Sequence, residues 1–181
     1  MDMTPRIVPE EFVTAEEDAA IRAALCLCFP ANVDVYSRTR GWHGSLPAWS
    51  VIVEHQGQVI AHGGIVERKI RAGLEDVLVA GVMGVLVAPE YRKKHLFRQI
   101  MTLAMEEAYR RNFDLGVLFC FPELIPLYGA LGWRLLSGRR VTRIDESGLP
   151  QPIPAKNVTM FYPLHRSDVP PGDIHLRGND W

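Results

Sequence analysis

The spacing of apolar positions changes several times along this chain, and each change marks an element. From Trp49 to His55 the pattern alternates, the period of a half-buried strand. Gln56-Gly57-Gln58 supplies a hairpin turn. Two more strands are predicted, Val59 to about Arg71 and Val77 to Ala88, joined by the Gly73–Asp76 turn into an antiparallel meander. Gly81 and Gly84 interrupt the third strand, and glycine inside a strand marks a bulge or a close backbone approach. Past Pro89 the period becomes helical. Between about Lys93 and Arg111, Leu96, Ile100, Leu103 and Ala104 form one stripe, and Phe97, Met101 and Met105 a second. Asp114 to Phe121 reads as a short strand. Pro122 to about Gly132 reads as a helix with proline at its start, and Trp133 to Ile144 as a further strand. Val158 to Leu164 is the last predicted strand. Near the N-terminus, Thr14-Ala-Glu-Glu17 has the form of a capping box and opens a helix that Pro30 stops.

Between these elements, residues 30–48 are turn-rich and carry Asp34, Tyr36, Arg38, Arg40, Trp42 and His43. A long ordered loop of this kind is a candidate binding element. A Pro-rich connection follows at Ser147–Lys156, and Pro170-Pro171-Gly172 leads into the tail. There are no internal repeats and no break in composition, so residues 1–181 read as one domain. A strand–helix–strand–helix–strand core after a meander is an α/β (α+β) arrangement, a mixed and mostly antiparallel sheet flanked by helices. Helices follow strands at Pro89 and Phe121, so those sheet ends are the expected ligand site.

Composition narrows the partners. A net charge of −1 argues against nucleic acid, which calls for a basic excess. Three cysteines, Cys26, Cys28 and Cys120, suggest neither a disulfide framework nor a metal site. The first twelve residues lack a basic n-region and an apolar h-region, and Val77–Ala88 is too short to span a bilayer. A cytoplasmic protein with no membrane partner is expected, as a single domain or a homodimer.

The chemistry is concentrated after the third strand. An apolar run ends at Pro89, the basic turn Arg92-Lys93-Lys94-His95 follows, and a helix begins. Turn N–H groups, the helix dipole and cationic side chains together grip phosphate. This stretch resembles the acyl-CoA-binding motif of the GNAT acyltransferase superfamily. The resemblance implies a splayed strand whose Val85, Leu86 and Val87 pair with pantetheine amides. It also implies a pyrophosphate held by Arg92, Lys93, Lys94, His95, Leu96 and Phe97, with acetyl-CoA as donor and no metal. Lys93, His95 and Phe97 stand where the usual motif has small residues. Pro126-Leu-Tyr128-Gly-Ala-Leu-Gly-Trp133 resembles a second GNAT segment, which implies that Tyr128 protonates the leaving thiolate. Many GNAT enzymes carry a basic Glu on the third strand. Here Met83 stands there, so the base is expected among Asp34, His43, Glu67, Asp173, His175 and Asp180, with His62 in the core or at an edge.

The overall layout from residue 50 onward resembles aminoglycoside 2′-N-acetyltransferases. The matching segments are Ile60-Ala61-His62, the Val82–Val87 run, Leu127-Tyr128 with Gly132-Trp133, and an acidic tail ending in Trp181. That resemblance implies acetyl transfer to an aminosugar amine, the 2′-amine of an aminoglycoside-type antibiotic, with the acceptor collected by Asp34, Met83, Gly84, Phe119, Asp173, Asp180 and Trp181. Met83 and Phe119 replace polar positions, which points to a smaller or differently shaped aminosugar, a kasugamycin-like one included. Trp42-x-Gly-x-x-Pro47 and Pro171-Gly-Asp173 also resemble nodulation N-acyltransferases, which would imply a long-chain donor. The missing strand Glu leaves a third alternative, a non-catalytic acyl-CoA-binding module.

Overall fold

Thr14 caps its helix as the sequence predicts. Its hydroxyl accepts from the Glu17 N–H at 3.1 Å, and the Glu17 carboxylate accepts from the Thr14 N–H at 2.9 Å. The computed structural model describes residues 3–181. Met1 and Asp2, where the expected single domain and the segment read for a leader begin, lie outside the described residues. The order is β1 (Arg6–Pro9), α1 (Ala15–Cys28), α2 (Val33–Tyr36), β2 (Trp49–His55), β3 (Gln58–Ala72) and β4 (Glu75–Val87). Then come α3 (Leu96–Arg110), β5 (Leu115–Cys120), α4 (Ile125–Gly129), β6 (Arg134–Leu135), β7 (Val141–Ile144), β8 (Pro150–Pro152), β9 (Val158–Pro163) and β10 (Ile174–His175).

The strands form one mixed sheet in the order β6-β9-β5-β4-β3-β10-β7-β8, with β2 on the first half of β3 and β1 beyond it. Only the β4–β5 and β10–β7 pairs are parallel. On one face α3 buries Ile100, Met101, Ala104 and Met105 against Trp49, Val51, Ile65, Val82 and Leu118. Ile100 is fully enclosed, so its truncation to alanine is expected to cost about 2–5 kcal/mol. Elsewhere α1 packs Ile21 and Leu25 on Ile52, Val59 and Leu86. A third cluster joins Val79, Leu115, Val117 and Phe161 to the tail residues Ile174, Leu176 and Trp181. No single helix among the described residues is long and apolar enough to cross a membrane.

Three expectations of local structure are corrected. The strand read over Trp133–Ile144 is two strands, β6 at one end of the sheet order and β7 next to the other end; Gly138 turns the chain between them at φ 69°. The Pro122 helix begins as a 3-10 turn over Pro122–Leu124, and the α-helical part is only Ile125–Gly129. The tail and the Pro-rich connection, read as irregular, supply β10 and β8. Leu176 N–H donates to Thr142 O at 2.8 Å, which ties the tail to β7.

Candidate active site

The site begins where two parallel strands part. Pairing between β4 and β5 runs from Val79↔Leu115 to Val82↔Leu118 and stops. Beyond it β4 continues to Val87 against β3, while β5 continues to Cys120 against β9. The gap exposes β4 backbone groups on the side that faced β5. The divergence coincides with a bulge: Gly84 takes φ 57°, and the register opposite shifts between His62 and Gly64. His62 holds this bulge. Its Nδ1 lies 2.8 Å from Gly84 O, and its Nε2 lies 3.2 Å from Ser50 Oγ. A carbonyl only accepts, so Nδ1 carries the proton and Nε2 accepts from the serine. Burial lowers the imidazole from 6.5 to about 4, which keeps it neutral. His62 is thus the core histidine the sequence suggested, with a defined partner.

One side of the gap opens into a cavity of about 630 Å3. Val85, Leu86, Val87, Arg92, Lys93, His95, Leu96 and Phe97 all line it. Lys94 does not: its ammonium sits 5.1 Å over the Tyr91 ring. The helix starts at Leu96, later than the expected Lys93, because the turn is left-handed at two points. Lys93 has φ 72° and His95 φ 61°. The residues that replace glycine therefore keep a glycine-like backbone, at a cost of about 1–2 kcal/mol each. Arg98 also lines the cavity and was missed from the sequence. Its signal was its place in the first turn of α3, next to the basic turn.

The other side opens into a second cavity of about 460 Å3. Tyr128 lines both, as do Phe29, Val85 and Leu124. The Tyr128 ring packs edge-on against Phe97 at 5.4 Å and Trp133 at 6.1 Å. Burial, reinforced by the neighbouring Cys120, pushes the phenol well above its ordinary range, so it stays protonated. Among the described residues its hydroxyl has no hydrogen-bond partner.

The second cavity gathers some of the residues expected for the acceptor and leaves others out. Met83, Gly84, Phe119, Asp180 and Trp181 line it. Asp34 is exposed on α2 and Asp173 is exposed beside the Gly73 turn; neither lines the cavity. Asp173 is held away because its carbonyl accepts from Gly73 N–H at 2.9 Å, at the far end of β3. Asp180 is not a free acid. Its Oδ1 is 2.7 Å from both Arg143 Nη1 and His43 Nδ1, and the residue is 3% exposed. Trp181 packs against Gly81 and, tilted by 49°, against the Phe119 ring at 5.1 Å, with the Arg68 guanidinium 5.0 Å over its ring. Arg68 also bonds Ser45 Oγ and Asn179 O, tying the tail to the 42–45 turn. Of the six possible bases, only His43 and Asp180 reach the cavity; Glu67 and His175 are exposed elsewhere. Trp42, Arg143, Lys156 and Asn157 add to the walls and were not assigned there from sequence; three of them enter with β7 and the β8–β9 connection.

A domain profile described as "Acetyltransferase (GNAT) domain" matches residues 11–136. Solved structures share the fold. The GNAT family N-acetyltransferase YhbS from Escherichia coli, in complex with CoA, superposes with TM-score 0.68 at 17% identity, over 98% of this chain and 92% of its own. An acyl-CoA N-acyltransferase from Pseudomonas aeruginosa gives 0.62 at 16% identity, over 89% and 99%. The ribosomal-protein-S18-alanine N-acetyltransferase from Escherichia coli gives 0.58 at 16%, over 91% and 97%.

Proposed function

The chain belongs to the GNAT acetyltransferase family, and from that premise we propose that it transfers the acetyl group of acetyl-CoA to the amine of a compact aminosugar bearing a single ammonium. The observation that carries this reading is Tyr128, which stands at the junction of a cavity with a basic turn and a cavity with aromatic walls. A thioester carbonyl at that junction meets an amine from the other side, and holding both there supplies much of the rate.

The donor half is read from the parted strands. Val85 and Val87 offer backbone groups to pantetheine amides, while Lys93, Arg92, Arg98 and the N-terminus of α3 face the phosphates. In the acceptor half, Trp42, Phe119 and Trp181 provide faces for a sugar ring, and Asn157 a polar edge. Charge sets the limit. Among the described residues the one acidic side chain there, Asp180, is already paired with Arg143, and Lys156 adds a further cation. Such a pocket has no acidic cluster for a polycationic aminoglycoside, which is why a single-amine sugar is favoured.

Neutral amine attacks the thioester carbon, the C–N bond forms, and the C–S bond then breaks. A phenol raised this far above a thiol cannot simply surrender its proton to a thiolate. Tyr128 therefore acts as a relay: its O–H stabilises the departing sulfur and passes on a proton drawn from the tetrahedral nitrogen.

Thiol release from acetyl-CoA across glucosamine, galactosamine and kanamycin tests the reading. Turnover of the single-amine sugars with higher kcat/KM than kanamycin supports it. Turnover of none of the three removes the aminosugar.

A further inference from the structure

The geometry points to His43 as the general base of this transfer, oriented by Asp180 as a positioning residue; the inference rests on the acetyl-transfer reading above. The 77–88 strand carries no acid, so the proton of an incoming ammonium must go elsewhere.

His43 lies in the acceptor cavity with Tyr128 and Gly84. It sits at the tip of a tight turn closed by Ser45 N–H donating to Trp42 O at 2.8 Å. His43 and Gly44 both have positive φ, 45° and 77°, the signature of a mirror-image two-residue turn. A non-glycine residue in that conformation is strained, and the turn holds it because Arg68 anchors Ser45 from below.

The Nδ1 of His43 is 2.7 Å from Asp180 Oδ1. The carboxylate only accepts, so Nδ1 carries the proton and the Nε2 lone pair is left for the acceptor. This is the base-and-orienting-carboxylate arrangement that nucleophile activation needs. Asp180 is itself fixed: Arg143 Nη1 donates to it, and Asn179 Oδ1 accepts from its backbone N–H at 3.0 Å. The charged groups around the ring are Asp180, Arg143, whose Nη1 is 3.5 Å from Nδ1, and the exposed Glu146, 4.0 Å from Nε2. The Trp42 ring packs against it at 4.7 Å, tilted by 42°, and Lys156 lines the same cavity.

The balance is as follows. Nε2 takes one proton from the ammonium and releases it to solvent. The amine lone pair forms the C–N bond as the C–S electrons leave with sulfur. The second nitrogen proton reaches the thiolate through Tyr128. The products are the acetamide, CoA thiol and one proton.

The test uses the full chain with acetyl-CoA and glucosamine, and with acetyl-CoA alone, where water is the nucleophile. His43→Gln should lower kcat roughly 10²-fold in either reaction and remove the acid limb of the pH profile. The acetyl-CoA-induced thermal shift should stay at its wild-type value. Asp180→Asn should lower kcat less, and imidazole should partly rescue His43→Ala. Nitrogen NMR of the wild-type imidazole should show protonated Nδ1 and bare Nε2. A His43→Gln enzyme with wild-type kcat and an intact acid limb overturns the proposal, as does an Nε2–H tautomer, which is read whether or not the variants fold. Failure of glucosamine turnover alone strikes the aminosugar reading, and the hydrolysis and NMR results still decide His43.

Discussion

The imidazole of His62 and the carbonyl of Gly84 lie 2.8 Å apart, and that bond spans the bulge just beyond the last β4–β5 pair. The histidine is fully enclosed and must stay neutral, with its pKa lowered from 6.5 to about 4. An unfolded chain takes up a proton below 6.5 that the fold refuses until about 4. This contribution to stability is therefore complete above 6.5 and is lost as pH falls through that window. Between about pH 7 and pH 5 the loss should be about 2 kcal/mol. Urea unfolding of the wild type and of His62→Gln at the two pH values checks this: the variant should show a shallower decline. Equal slopes would mean that the imidazole is already protonated in the fold.

Tyr128→Phe should lower kcat by roughly 10²-fold while leaving the affinity for acetyl-CoA nearly unchanged, because the hydroxyl acts on charge that develops only as sulfur leaves. The raised phenol also means that Tyr128 contributes no basic limb below its ordinary range near pH ~10. Stopped thiol-release assays with parallel thermal shifts separate the two effects. A phenylalanine enzyme of wild-type kcat would give the relay to another group.

Replacing His95 by glycine should stabilise the free protein by about 0.5–1 kcal/mol, since relief of a left-handed φ exceeds the added freedom of the unfolded chain. Lys93→Gly should do the same but shrink the thermal shift produced by acetyl-CoA, because a phosphate-facing cation is lost. Urea midpoints with and without acetyl-CoA test both substitutions. Destabilisation by His95→Gly would show that its side chain is needed to hold the turn.

Gly81→Ala should displace the tail. A Cβ there would lie 2.4 Å from Trp181 Cε2, and the indole has Arg68 on it, so it cannot simply slide aside. The expected outcome is a higher KM for the acceptor, an unchanged acetyl-CoA shift and a red shift of tryptophan emission. A variant with native emission and native KM would mean that the ring tolerates the methyl group.

Legibility in the sequence followed the range over which each signal acts. The meander, the capping box and α3 were visible because hydrophobic period and capping chemistry are local. The Gly84 bulge was visible as a glycine where a strand should not want one. What lay outside reach was pairing at a distance. Nothing near Asp173 or Asp34 announces that they point to solvent, and nothing near Asp180 announces Arg143, which lies 37 positions away. The tail looked like free negative charge because its counter-ions belong to other strands. Lys93 and His95 looked like obstacles to a glycine-type loop, yet each adopts the left-handed backbone that glycine favours.

The profile match ends at residue 136, and much of the aromatic and charged wall around the second cavity lies after it. Arg143, Lys156, Asn157, Asp180 and Trp181 come from β7 onward, whereas the parted strands, the basic turn and Tyr128 all precede that point. The first cavity is lined wholly from before that point, whereas the second joins those later residues to Trp42, His43, Met83 and Phe119 from before it. Exchange of residues beyond the match is the natural route to a new acceptor, and it leaves the machinery for handling the thioester untouched.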